Sequence, residues 1–65
     1  MHVFVNGEPY ESESGTLAAL LVECEFEANA VATAINKGFV RLKDRAAIRL
    51  REGDQVEILT PRQGG

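Results

Sequence analysis

Reactive and bridging side chains are almost missing from this chain. Cys24 is its single cysteine and His2 its single histidine, so no intrachain disulfide and no cysteine-based zinc site can form. A lone thiol fits a reducing compartment. No apolar run approaches the ~20 residues that span a bilayer, and the first residues lack the basic flank and apolar stretch of a secretory leader. The expectation is a cytoplasmic protein that binds no membrane. Repeats, low-complexity tracts and internal linkers are also absent.

Positive charge is missing from one half. Residues 1–30 carry six acids (Glu8, Glu11, Glu13, Glu23, Glu25, Glu27) and no Lys or Arg. Residues 31–65 carry seven bases (Lys37, Arg41, Lys43, Arg45, Arg49, Arg51, Arg62) against Asp44, Glu52, Asp54 and Glu57. If the halves occupy different faces, the surface is dipolar and orients an encounter; if their strands interleave, the asymmetry cancels locally. The net charge of −3 lacks the basic footprint of a nucleic-acid binder. At 65 residues the chain makes one small domain, too small to enclose a deep active site. Its hydrophobic content of 45% nevertheless supports a folded globule.

What is present is strand and helix periodicity. Met1, Val3 and Val5 alternate on one face of an opening strand. Asn6-Gly7 then signals a tight hairpin. Pro9 cannot donate to a ladder, which puts the returning stretch Glu8 to Glu13 at a sheet edge. Thr16 stands ready to N-cap a helix, and Leu17, Leu20, Leu21 and Cys24 share its apolar face. Near its C-terminus, Glu23, Glu25 and Glu27 oppose the macrodipole, which reads as a solvated end or, alternatively, an acidic contact patch.

Further on, Val31 to Ile35 is extended and Asn36-Lys37-Gly38 turns it toward Phe39-Val40-Arg41. Leu42 to Ala46 is polar and irregular. Ala47 to Arg51 alternates as a strand with Ile48 and Leu50 inward, and Glu52-Gly53-Asp54 closes a hairpin onto Gln55 to Thr60, where Val56 and Ile58 face in. This order predicts an α+β domain over residues 1–60, a mixed sheet with one helix packed across one face. The first and last strands sit side by side in its middle. Residues 61–65 follow as a flexible tail.

Catalytic constellations are nearly absent as well. His2 sits on a strand with its side chain opposite that of Val3, while Cys24 belongs to the buried helical stripe, so the two do not make a base and nucleophile. Glu11 and Glu13 on an edge strand read as solubilising charge. The chain is expected not to be an enzyme, and to bind no metal or cofactor. That leaves Gly64-Gly65. A Gly-Gly end has no Cβ atoms and threads a narrow channel with its carboxylate leading. A free carboxylate needs activation before a nucleophile can displace its oxygen, and an ATP-using partner can supply this as a mixed anhydride with AMP.

Several segments then resemble a known family. Ala34-Ile35-Asn36, Phe39-Val40, and Leu50-Arg51-Glu52-Gly53-Asp54-Gln55-Val56-Glu57-Ile58-Leu59-Thr60-Pro61-Arg62-Gln63-Gly64-Gly65 are together similar to the ThiS family of sulfur carriers in thiamine biosynthesis. The resemblance implies a ubiquitin-like β-grasp fold. It implies that an E1-like adenylyltransferase (ThiF type) uses ATP to adenylate Gly65, which becomes a thiocarboxylate and gives its sulfur to thiazole synthase (ThiG type). Gly64 is then the permissive neighbour, and Gln63 and Arg62 complete the tail. Many members have Pro-Arg after Phe-Val, whereas here Arg41-Leu42 stands there, so no partner role is carried to Arg41.

A β-grasp sheet presents its helix-free face to partners. Phe4 and Leu59 alternate away from Val3, Val5, Val56 and Ile58, which makes them candidates for an apolar docking patch. Arg62 either pairs with an acidic groove that guides the tail or keeps the tail soluble. Three other readings stay open on residues alone: a molybdopterin-type carrier, a ubiquitin-like modifier joined through Gly65, and a plain interaction module.

Overall fold

Two asparagine-led turns and a returning strand organise the chain into one sheet. The structure is a computed structural model and describes residues 1–61. Strands β1 (His2–Val5) and β2 (Glu8–Glu11) form an antiparallel hairpin in which Val3 faces Tyr10 and Phe4 faces Pro9. Its turn residues Asn6 and Gly7 have φ of 53° and 83°, a left-handed region that Asn and Gly enter at little cost. Helix α1 (Leu17–Glu23) follows, with the Thr16 side chain accepting from the Ala19 N–H at 3.2 Å. A 3-10 turn at Ala28–Ala30 leads into β3 (Ala32–Ile35) and β4 (Gly38–Val40), joined through Asn36 and Lys37. A second 3-10 helix covers Leu42–Ala47, and β5 (Gln55–Leu59) closes the described chain.

The strand order is β2-β1-β5-β3-β4. Strand β5 runs parallel to β1 and antiparallel to β3, so the mixed sheet expected from the element order is present, with its terminal strands side by side. Pro9 lies on an edge strand, as its missing N–H requires. Leu17, Leu20 and Leu21 are buried on α1 and pack with Val40, Leu50, Val56 and Ile58; Val3 is buried as well. Cys24 is half-buried at the border of this core.

Three expectations need correction. Ala47 to Arg51 is not a strand of the sheet, and Glu52-Gly53-Asp54 does not close a hairpin onto β5. Both edges of β5 are already taken by β1 and β3, so a hairpin partner has nowhere to pair. The segment bonds instead to the approach of α1: the Leu17 N–H donates to Ile48 O at 3.0 Å and the Leu50 N–H to Gly15 O at 3.0 Å. Leu50 is buried and Ile48 half-buried on the core side, so the alternation marked burial correctly but not strand pairing. Leu42 to Ala46, read as irregular, falls within the 3-10 helix Leu42–Ala47.

Two charged side chains act as internal ties. Arg45, only 3% exposed, donates from Nε to Thr33 Oγ1 at 3.0 Å, from Nη1 to Ala28 O at 2.8 Å and from Nη2 to Val31 O at 2.7 Å. Thr33 Oγ1 donates to Val40 O at 2.9 Å, and among the described residues no buried side-chain N or O atom lacks a partner. Glu23 is not a free solvated end. Its carboxylate accepts from Ser14 Oγ and Ser12 Oγ, each at 2.8 Å, and from the Glu13 N–H at 3.2 Å.

These hydrogen bonds, led by that of Ser14, hold the Glu23 carboxyl below its ordinary value of 4.5. A value lowered by folding stabilises the protein above the ordinary range, and that stabilisation is lost as pH falls through the folded value. In denaturant titrations, Glu23→Gln is therefore expected to be less stable than the parent at neutral pH. The gap should narrow as pH drops below 4.5; a gap that stays constant with pH would contradict this role.

Candidate functional site

The strand most tightly held in the molecule is the last one described. Strand β5 is central, and its pairing with β1 through Phe4–Gln55 and Val5–Val56 ends where β1 turns at Asn6. There the Asn6 side chain continues the ladder. Its Nδ2 donates to Ile58 O at 3.0 Å and its Oδ1 accepts from the Ile58 N–H at 2.8 Å. At the other end Asn36 ties Gln55 through one side-chain and one main-chain group: its Oδ1 accepts from the Gln55 N–H at 2.9 Å and its main-chain N–H donates to Gln55 O at 2.7 Å. The planar amide of Asn6 supplies one donor and one acceptor in the spacing of a peptide group, so that turn adds one more rung. Strand β5 is thus tied from Gln55 to Ile58. Thr60 and Pro61, the last described residues, are exposed.

The residues expected to carry chemistry, Gly65 with Gly64, Gln63 and Arg62, lie outside the described residues. Phe4 and Leu59 both fall on the helix-free face, but at opposite ends of it. Phe4 is half-buried beside Gln55, whereas Leu59 lies four residues further on, roughly 13 Å along the strand. Leu59 (64% exposed) is joined instead by Phe39 (71% exposed) across Ala32 and Ala34. Pairing explains this: Ala32 faces Leu59, and Ala34 stands between Glu57 and Phe39. The small alanines leave a shallow groove of 80 Å³ flanked by the two large side chains. Phe39 was missed as a site residue, although its place beside the inward Val40 shows which way it points.

Other reactive candidates are engaged elsewhere. His2 Nδ1 lies 2.9 Å from Glu52 Oε2 and Nε2 lies 3.4 Å from Glu11 Oε1, on the exposed end of the first hairpin. The Glu52 carboxyl is held below its ordinary value by the His2 N–H and then by the ring. Tyr10 lies against Cys24, whose thiol is the main cause of a raised phenol value. Arg41 pairs with Asp44 at 2.9 Å across the first turn of the Leu42–Ala47 helix. Among the described residues there is no cluster able to hold a metal ion, and no helix is long and apolar enough to cross a membrane.

The Asn6 clamp is open to a direct test. Asn6→Gly keeps a residue suited to φ of 53° but removes both hydrogen bonds, with an expected cost of about 1–3 kcal/mol in chemical denaturation. Asn6→Ala should cost more, because Ala adopts that φ poorly. Equal stability of Asn6→Gly and the parent would show that the clamp contributes nothing.

Comparison with known proteins covers nearly the whole sequence. Residues 3–65 match the family model described as the ThiS family. The sulfur carrier protein ThiS of Thermus thermophilus is 41% identical over 66 residues, covering 97% of this chain and 98% of that protein. A thiazole synthase of Magnetococcus marinus is 38% identical over 60 residues, covering 91% of this chain; the chain spans only 18% of that protein's length. Among solved structures, the crystal structure of the thiamine biosynthesis protein ThiS from Geobacter metallireducens superposes with a TM-score of 0.86 at 26% identity, covering all of both chains. The solution structure of a thiamine biosynthesis protein from the same organism gives 0.81 at 26% identity, covering all of this chain and 88% of that one.

Proposed function

Because this chain belongs to the ThiS family, we infer that it is a sulfur carrier of thiamine biosynthesis and that Gly65 bears the sulfur. The observation that carries this reading is the match to the Thermus thermophilus carrier across 98% of that protein. The β-grasp order and the clamped β5 support it, since a carrier must present its end from a firm base. Residues 1–60 form the recognition domain and 61–65 the reach.

The chemistry assigned to Gly65 follows from the carboxylate. One of its oxygens attacks the α-phosphorus of ATP on an E1-like adenylyltransferase of the ThiF type, and pyrophosphate leaves. AMP is now a leaving group on the acyl carbon. Sulfide, or a sulfur donor at that oxidation level, adds to the carbon and expels AMP, which keeps the carboxylate oxygen. The product is a thiocarboxylate. A thiazole synthase of the ThiG type takes up the sulfur, a partner suggested by the thiazole synthase with a stretch similar to this chain. The carrier itself binds no ATP and contributes recognition. We place these reactions in the cytoplasm, where ATP is available.

Leu59 and Phe39, with Ala32 and Ala34 between them, make the apolar docking patch; Phe4 lies at the far end of the same face, a separate contact point for a partner. Large apolar side chains beside a shallow groove are the kind of anchor that dominates small interfaces. Arg62 is assigned to guiding the tail into the activating partner, where a guanidinium can pair with a carboxylate.

Reconstitution with the adenylyltransferase, ATP and sulfide, read by intact mass, tests the central claim. Replacement of one oxygen by sulfur is expected in the parent and in Cys24→Ala, and removal of Gly65 should abolish it. Sulfur loading without Gly65, or its loss in folded Cys24→Ala, would overturn the assignment. Covalent ladders on other proteins would favour a modifier instead.

A second measurement addresses docking. Leu59→Ser and Phe39→Ser are each expected to raise the KM for the carrier about tenfold, a loss of roughly 1.4 kcal/mol. Unchanged KM in both variants would place the docking surface elsewhere.

A further inference from the structure

The two hairpins of the sheet turn in the same way but with different residues. At the first, Asn6 and Gly7 have φ of 53° and 83°; at the second, Asn36 and Lys37 have φ of 49° and 74°. A two-residue turn of this left-handed kind favours Asn followed by Gly, because a β-carbon at the second position crowds the backbone. Gly7 meets that requirement, and the space around it is open, so its backbone angle is the reason for glycine there. Lys37 does not meet it. The second turn therefore carries a strain that the first avoids, and its lysine contributes nothing to the turn that glycine would not do better.

What the lysine does supply is a placed charge. Asn36 fixes the turn to β5 through its two bonds with Gln55, and its Nδ2 donates to Asp54 Oδ1 at 3.1 Å. From that base Lys37 lines a recess of about 340 Å³ on the helix-free face, together with Asn36, Gln55 and Glu57. Glu57 also lines the Phe39–Leu59 groove, so the recess and the apolar groove adjoin at that side chain. Among the described residues Lys37 enters no ion pair, whereas Arg41, just past β4, is paired with Asp44 at 2.9 Å.

The sheet order also separates the charges. Strand β2, with Glu8 and Glu11, is one edge, and β4, between Lys37 and Arg41, is the other. A second copy pairing antiparallel along β4, centred on Phe39, would set Lys37 opposite Arg41, a like-charge contact. The lysine thus opposes self-association through this edge and favours an acid. We propose that Lys37 is a recognition residue for the activating partner, its ammonium receiving a carboxylate of that partner in the recess beside the Phe39–Leu59 patch. This rests on the sulfur-carrier reading. The activating partner is the first to select the carrier from solution, which is the step that complementary charge serves. Glu57, on the side shared with the apolar groove, repels the incoming acid and so confines it to the Lys37 end. A lysine suits the task as a point charge on a flexible stem. Glycine would make a better turn and a poorer contact.

The test compares the parent with Lys37→Gly and Lys37→Arg in urea titrations and in adenylation assays with the E1-like partner and ATP. The assays are run at about 0.01 M and about 0.15 M ionic strength, between which the Debye length falls from about 30 to about 8 Å. Lys37→Gly is expected to unfold at a higher urea concentration than the parent, because the turn strain is gone. Its KM for the carrier should rise about fivefold at the lower ionic strength, with kcat within about twofold of the parent. That difference in KM should shrink at the higher ionic strength. Lys37→Arg keeps both the charge and the strain, and should match the parent in KM and in urea midpoint. Parental KM in Lys37→Gly, a rise in KM that ignores ionic strength, or an equal rise in Lys37→Arg overturns the proposal. So does a lower urea midpoint for Lys37→Gly, which would make the lysine a stabiliser of its own turn. Failure of the parent itself to be adenylated would instead defeat the sulfur-carrier reading on which the proposal rests.

Discussion

Strand β5 has no free edge, and most of the molecule is arranged around that fact. Its backbone pairs with β1 on one side and β3 on the other, and the side-chain amide of Asn6 and the Oδ1 and main-chain N–H of Asn36 extend the pairing at its two ends. A strand bonded on both edges cannot shift register without breaking both ladders. The end of β5 is therefore a fixed point from which the following residues depart. The same constraint expels Ala47 to Arg51 from the sheet and sends its hydrogen bonds to Gly15 and Leu17.

A domain of this size cannot rely on a large core, and polar ties do part of the work. Glu23 joins the end of α1 to Ser12 and Ser14. Arg45 joins the Ala28–Ala30 turn to β3. Both ties use a charged group with several hydrogen bonds, which are stronger than neutral ones. The hydrogen bonds described for each run to hydroxyl and peptide groups, with the N-terminal ammonium a smaller influence on Glu23.

Much of this was legible in the sequence, and the pattern of what was not is informative. Alternation at Val3, Val56 and Ile58, the Asn6-Gly7 turn, Pro9 at an edge and the Leu17, Leu20, Leu21 stripe each report local geometry, and each appears as read. Ala47 to Arg51 misled because alternation records which side chains are buried, and a crossing segment over a small core needs the same alternation as a strand. Asn6 was read as a turn former through its backbone, while its larger contribution is a side-chain contact with Ile58, 52 positions away. Glu23 and Arg45 were missed for the same reason: nothing adjacent in sequence identifies Ser12, Ser14 or Thr33 as their partners. Phe39 escaped because its relation to Leu59 exists only once β3 is placed between their strands.

On the proposed function, one exposed face must serve two partners in turn. Leu59 and Phe39 flank a groove of only 80 Å³, and the face around them carries Glu57 and Gln55 as well as apolar atoms. A surface of that kind favours a small, partly polar interface of the sort found in transient complexes. That limit suits a carrier. Binding energy held in a tight complex with the activating partner would have to be given back before the thiocarboxylate reached the synthase, slowing the cycle through dissociation. A weak docking face places the burden of discrimination on how the tail is presented. Rigidity in β5 then contributes to rate without adding to affinity, which is the kind of interaction that accelerates a bound reaction.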